Sequence, residues 1–216
     1  MLSSLSQPAL LITRVITLVI AFTVHEFSHA WAAVSLGDPT PKSEKRLTLN
    51  PLRHLDFLGS FMLLLTGFGW AKPVRINASL LERKTKAGVM LVSLAGPLSN
   101  ILLAVIGAFL LKSAPPEPLL RLPQLLPSLP FFLTNFITIN LSLAVFNLLP
   151  LAPLDGEKVL EFFIPAFARP VWDKIQNYGM FLLMLGFLVL PYFRINVFGN
   201  ILSPIIRTLY RIVTGG

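Results

Sequence analysis

The sequence predicts an all-α polytopic membrane protein, and three observations carry that expectation. Hydrophobic residues make up 54% of the 216 and charged residues only 13%, and the mean hydropathy is +0.73, more apolar than one soluble core of this size requires. Several apolar runs approach about 20 residues, the length that crosses a bilayer as a helix. The basic residues are unevenly placed, with nine of the 18 Lys and Arg gathered in a single connection from Lys42 to Lys86. The formal charge of +8 therefore reads as topology and attraction to anionic lipid, and nucleic acid is not expected as a partner.

The first span is expected over residues 15–36. It lacks the basic start of a signal peptide and is too long for one, so it should remain in the mature protein. The basic connection follows, and short loops rich in Lys and Arg stay in the cytoplasm, which puts the N-terminus outside. Within that connection the run 58–68 is too short to cross as a straight helix and has basic residues on both sides, so it should dip in and return. The next stretch, "GWAKPVRIN" at 69–77, alternates Val74 and Ile76 with polar neighbours after Pro73 and is compatible with a short edge strand. A re-entrant segment or short β-hairpin is thus expected near 58–77, and such an edge could take up an unwound peptide by strand addition. Further spans are expected over 86–111, 130–149, 175–191 and 197–213, about five in all. Residues 1–216 read as a single membrane-embedded domain, a core of about 15–160 followed by C-terminal helices over about 161–216. The absence of cysteine excludes disulfides and thiolate ligands.

An ionisable cluster interrupts the first span. In "TVHEFSHAWA", residues 23–32, His25 and His29 are four residues apart and project from one face of a helix, one turn apart. Two imidazoles so placed can hold one Zn2+, and Glu26 beside them can act on a metal-bound water as general base. A carboxylate and two imidazoles in hydrocarbon are costly and are kept for function or pairing. A catalytic zinc needs a third protein ligand. His54, in "LNPLRHLDF", reads as a loop or interfacial histidine. Asp155, in "NLLPLAPLDGEKVL", follows the helix breakers Pro150 and Pro153 and precedes Gly156, so a broken helix could return it toward the first span. An exposed Asp-Gly turn is the other reading of the same stretch. Asn100 closes "AGPLSN", where small residues permit close helix approach, and is expected to bond across packed helices.

The His-Glu-x-x-His pattern in the first span, followed more than a hundred residues later by "NLLPLAPLDG" at the end of the third, resembles the site-2 protease family of intramembrane zinc metalloproteases. The intervening "RLTLNPLRHLDFLGSFMLLLTGFGWAKPVRIN" and "LAGPLSN" are similar to its short prokaryotic branch, and the likeness covers about residues 20–160. The resemblance implies His25, His29 and Asp155 as ligands of one Zn2+, Glu26 as the base, and Asn147 as a group holding substrate or oxyanion. It implies hydrolysis of peptide bonds in transmembrane or membrane-anchored proteins, within or near the bilayer. The setting it implies is a prokaryotic inner or plasma membrane, with the active site opening to the cytoplasm. Ala152 and Glu157 stand where relatives often carry Pro and a small residue, and neither change removes a ligand. Two other classes stay open: a non-catalytic zinc-binding membrane scaffold of the same family, and a cation transporter. The second is weakened by a motif that places a base beside two ligands instead of a series of sites at different depths.

Overall fold

Every fourth residue of the first helix turns inward, and that rhythm organises the molecule. In the computed structural model, which describes residues 8–56, 59, 71–115 and 126–216, helix α1 runs Pro8–Ser35 and buries Thr13, Thr17, Ala21, His25, His29 and Ala33. A short helix α2, Ala78–Lys84, is capped by Asn77, whose side-chain oxygen accepts the Leu80 N–H at 3.2 Å. Helix α3, Gly88–Lys112, buries Gly88, Val92, Gly96, Asn100, Ala104 and Ala108 at the same spacing of four. Two such ridges of small and polar side chains let the helix backbones come close. The large apolar residues Ile16, Trp31, Leu98 and Phe109 point outward instead. Lipid is as apolar as leucine, so turning them inward would gain little, and close packing and hydrogen bonds decide the inner face.

Helix α4, Leu129–Asn147, lies against α3 and buries Leu133, Ile137, Asn140 and Leu141. It ends ahead of Pro150 and Pro153, and after the loop 148–154 the chain re-enters a helix as α5, Asp155–Glu161. Two further helices, α6 (Arg169–Gln176) and α7 (Gly179–Met184), lead into a π-helical turn, Leu185–Val189. Helix α8, Val197–Thr214, closes the bundle by packing Ile206, Leu209 and Tyr210 on Ala104, Ala108, Ile137 and Leu141.

Among the described residues, three helices are long and apolar enough to cross a membrane: Pro8–Ser35, Gly88–Lys112 and Leu129–Asn147. A fourth span is reached if Ala166–Gln176 and Gly179–Phe193, bent by 51°, count as one. The protein is an all-helical integral membrane protein among its described residues, which hold three or four candidate spans where about five are expected. Residues 197–213 are helical as expected, yet Asn200, Arg207 and Arg211 make α8 more polar than a free-standing span.

The expected re-entrant run falls almost entirely on residues 57–58 and 60–70, outside the described residues. The stretch 71–77 is extended, but no strand forms among the described residues, and a single bridge joins Leu55 to Ala71. Side chains take several of the backbone groups of this stretch. The Arg46 guanidinium donates to the carbonyls of Lys72 and Pro73, both at 2.8 Å. The Asn77 N–H donates to the buried Asp38 carboxylate at 2.6 Å, and Pro73 has no N–H to give.

Candidate metal centre

Consecutive turns of α1 place His25 and His29 side by side, and the loop 148–154 brings Asp155 over them. His25 Nε2 lies 3.2 Å from Asp155 Oδ2, His29 Nε2 lies 3.3 Å from Asp155 Oδ1, and the two Nε2 atoms are 3.0 Å apart. The hydrogen bonds on the far side of each ring decide what these atoms are. His29 Nδ1–H donates to the Val92 carbonyl at 2.7 Å, and His25 Nδ1–H donates to Asn100 Oδ1, also at 2.7 Å. In the neutral rings both Nε2 atoms are then lone pairs, so they face a carboxylate with no proton between them. Asp155 Oδ2 is accordingly buried without a hydrogen-bond donor.

Three acceptors pressed together call for a cation. With bonds of about 2.0–2.1 Å, two ligands on a tetrahedral zinc stand about 3.3 Å apart, and the observed separations of 3.0, 3.2 and 3.3 Å are close to that edge. The donor set of two imidazoles and one carboxylate also suits zinc. Beneath the rings sits Gly96, where a Cβ would come within 2.6 Å of His25 Nε2 and would collide with His29 Nε2. The bare backbone there leaves room for the two rings. Among the described residues, His25, His29 and Asp155 are the one group of three or more metal-binding side chains that converges in this way.

Glu26 is buried beside the cluster and is held by a bond the sequence did not foretell: its Oε2 accepts the Val74 N–H at 3.0 Å. The extended stretch 71–77 is thereby tied to the base candidate. Asn147 lines the same cavity, but its Nδ2 donates back to the Leu143 carbonyl of its own helix at 3.0 Å, leaving Oδ1 as the end able to turn to the cavity. His54 is not brought to the cluster; it is buried and donates from Nε2 to the Thr48 carbonyl at 2.6 Å. Glu157, the carboxylate close to Asp155 in sequence, pairs with Lys158 at 3.0 Å. Burial pulls the Lys158 ammonium down, but the carboxylates of Glu157 and Glu161 outweigh it and hold its pKa above the ordinary lysine value.

A cavity of about 980 Å³ opens onto these residues. It begins near Leu11 and Arg14 on α1 and reaches His29, about 27 Å along the helix at 1.5 Å per residue. Its other walls come from the stretch 71–76, from Ile139, Leu143 and Phe146 on α4, and from Met180, Met184 and Phe187. Phe146 packs edge-on against Phe187, which stacks on Phe198 of α8 with ring centroids 4.3 Å apart. The result is a long apolar groove with its histidines and carboxylates at one end and Arg14 at the other.

Residues 124–190 match the model of Peptidase family M50. The chain is 44% identical over 177 residues to a protein of Bacillus subtilis named "Putative zinc metalloprotease YwhC", covering 82% of this chain and 80% of that one. It is 27% identical over 184 residues to "Putative zinc metalloprotease Rip2" of Mycolicibacterium smegmatis, covering 80% of this chain and 65% of that one. No solved structure gives a significant match.

Proposed function

We propose that this chain, which belongs to peptidase family M50, is a zinc-dependent endopeptidase that hydrolyses peptide bonds of membrane-associated proteins within or near the bilayer. The observation that carries the reading is the convergence of three lone-pair atoms, from His25, His29 and Asp155, at one end of an apolar groove that also holds Glu26. Those three residues would hold the zinc, which when bound supplies a Lewis acid for the scissile carbonyl and acidifies a water molecule. Glu26, fixed at Oε2 by the Val74 N–H, has Oε1 left to take a proton from the attacking water and to pass it to the leaving nitrogen. The extended stretch 71–77 flanks that base and suits an unwound substrate segment laid beside it. Asn147 Oδ1 and Nδ2 are within the same wall and could orient the substrate once the amide turns from Leu143.

The side of the membrane follows from charge. Short basic connections stay in the cytoplasm, and His29 stands six residues before the end of α1 at Ser35, about 9 Å from the basic connection. The N-terminus is then outside and the centre opens toward the cytoplasm. A catalytically idle zinc scaffold would keep the same ligands, and a transporter would need a succession of sites, of which the described residues offer one.

Glu26→Gln separates these readings. The amide keeps size and hydrogen bonding while removing the proton acceptor, so bound zinc should remain stoichiometric while cleavage of a transmembrane reporter falls about a hundredfold or more. Equal cleavage by the variant and the wild type would reject the assigned role. A zinc-loaded wild type that cleaves no membrane substrate would favour the scaffold.

A further inference from the structure

Behind His25 runs a chain of side-chain amides that passes through all three long helices. His25 Nδ1–H donates to Asn100 Oδ1 at 2.7 Å; Asn100 Nδ2 donates to Asn140 Oδ1 at 3.0 Å and to the Ala21 carbonyl at 3.3 Å; Asn140 Nδ2 donates to the Phe136 carbonyl at 2.9 Å. Both asparagines have no exposed surface at all, so water cannot substitute for any of these partners. A bare asparagine is ambidextrous, with an acceptor at one end of its amide and a donor at the other. The end that faces His25 matters. If Oδ1 faces the ring, Nδ1 carries the proton and Nε2 offers its lone pair to the cavity. If Nδ2 faced the ring, Nδ1 would become the acceptor, the proton would move to Nε2, and the ligand atom would be lost.

We propose that Asn140, on α4, is a positioning residue for the metal centre: it sets the orientation of the Asn100 amide, which in turn fixes the tautomer of His25. The proposal rests on the reading of His25 as a ligand. The direction of the chain is fixed by carbonyls, which can only accept: Phe136 at its far end, at 2.9 Å, and Ala21 beside Asn100 at the longer 3.3 Å. Asn140 must therefore aim Nδ2 at Phe136 and Oδ1 at Asn100, and Asn100 must aim Nδ2 at Asn140 and Oδ1 at His25. The neighbouring ligand needs no such device, since His29 donates directly to the Val92 carbonyl. The adjoining face of α4 lines the groove through Ile139, Leu143 and Phe146, so the same helix that would meet the substrate also orients a ligand.

The test is zinc affinity by chelator competition and the ligand-field spectrum of the cobalt-substituted protein, both on purified protein in detergent. Asn100→Leu removes the acceptor and should weaken zinc about 10- to 100-fold, the range of lost outer partners of metal-bound histidines. Asn140→Leu leaves the Asn100 amide aimed only by the longer bond to the Ala21 carbonyl at 3.3 Å and should weaken zinc about tenfold, with a shifted cobalt spectrum. Asn100→Asp presents one oxygen to His25 while the other, protonated, donates toward Asn140 Oδ1 and the Ala21 carbonyl in place of Nδ2, and it should bind within about threefold of the wild type. The deciding variant is Asn100→Asp/Asn140→Leu. A carboxyl group needs no aiming, so the double variant should bind as Asn100→Asp does, and it also shows that leucine at 140 is compatible with the fold. A further tenfold loss in the double variant, or an Asn140→Leu protein with unchanged affinity and spectrum, would overturn the proposal. His25→Ala tells the two readings apart: if it keeps wild-type zinc, the ligand assignment fails; if it loses zinc while Asn140→Leu does not, only the relay fails.

Discussion

The metal centre is assembled from two unlike regions. His25 and His29 stand on the middle of a 28-residue helix, where the spacing of four and the packing against α3 fix both rings before any ion arrives. Asp155 stands on the first residue of a seven-residue helix, behind a loop whose position depends on contacts from elsewhere in the chain. The difference teaches that one half of the centre is set by local geometry and the other by distant partners. Substitutions in the two halves should therefore fail in different ways.

The largest effect should come from the helical half. His25→Ala removes one of the three proposed protein ligands and should abolish both bound zinc and cleavage. Asp155→Asn keeps an oxygen in place but removes the negative charge facing a doubly charged ion, so it should weaken zinc by more than the roughly 100-fold ceiling of outer-partner changes while leaving binding measurable at high zinc. Metal content at a series of buffered zinc concentrations reads both. If Asp155→Asn matched the wild type, Asp155 would be a turn residue.

Gly96 tests the rigidity of the helical half without touching a ligand. An added Cβ would sit on the Nε2 side of both imidazoles, and the neighbours to be displaced are the ligand atoms themselves. Gly96→Ala should then weaken zinc about 10- to 100-fold, comparable to the loss of an outer partner. Unchanged affinity would mean that the two rings are free to move aside, and the contrast with the loop-borne half would collapse.

The same division explains what could be read from the sequence. The histidine pair and Glu26 were legible because helical spacing is local, and the first three spans because bilayer length is. Asp155 could be placed over the pair only through the resemblance, since its own stretch fits a turn as well as a ligand. The role of Asn100 was half legible: a bond across packed helices was expected and is present, but its partner is His25, a proposed ligand. Asn140 was not singled out, although a buried amide in mid-span is a signal in itself. The ties of 71–77 to Arg46, Asp38 and Glu26 join residues 26 to 48 positions apart, and nothing local announces them. The fifth expected span forms a helix but is not among the candidate spans of the described residues, and the polarity that sets it apart was present in the sequence, at Asn200, Arg207 and Arg211.

The smallest effect should come from the clasp that holds the loop-borne half. Gln176, at the end of α6, accepts the Ala152 N–H at 2.7 Å and donates to the Pro150 carbonyl at 3.1 Å, so one side chain spans the loop that delivers Asp155. Gln176→Leu keeps most of the volume and removes both bonds. These groups are not fully buried, so water can take their place, and the net loss should be about 1 kcal/mol, or about fivefold in zinc affinity. The weakening should act through Asp155 alone. In an Asp155→Ala background, where the loop no longer carries a ligand, Gln176→Leu should change residual zinc binding little, whereas Gly96→Ala should still weaken it. A double-mutant cycle on chelator-buffered samples measures this coupling. An equal fivefold loss in both backgrounds would show that Gln176 supports the whole bundle and that the two halves of the centre are not held independently.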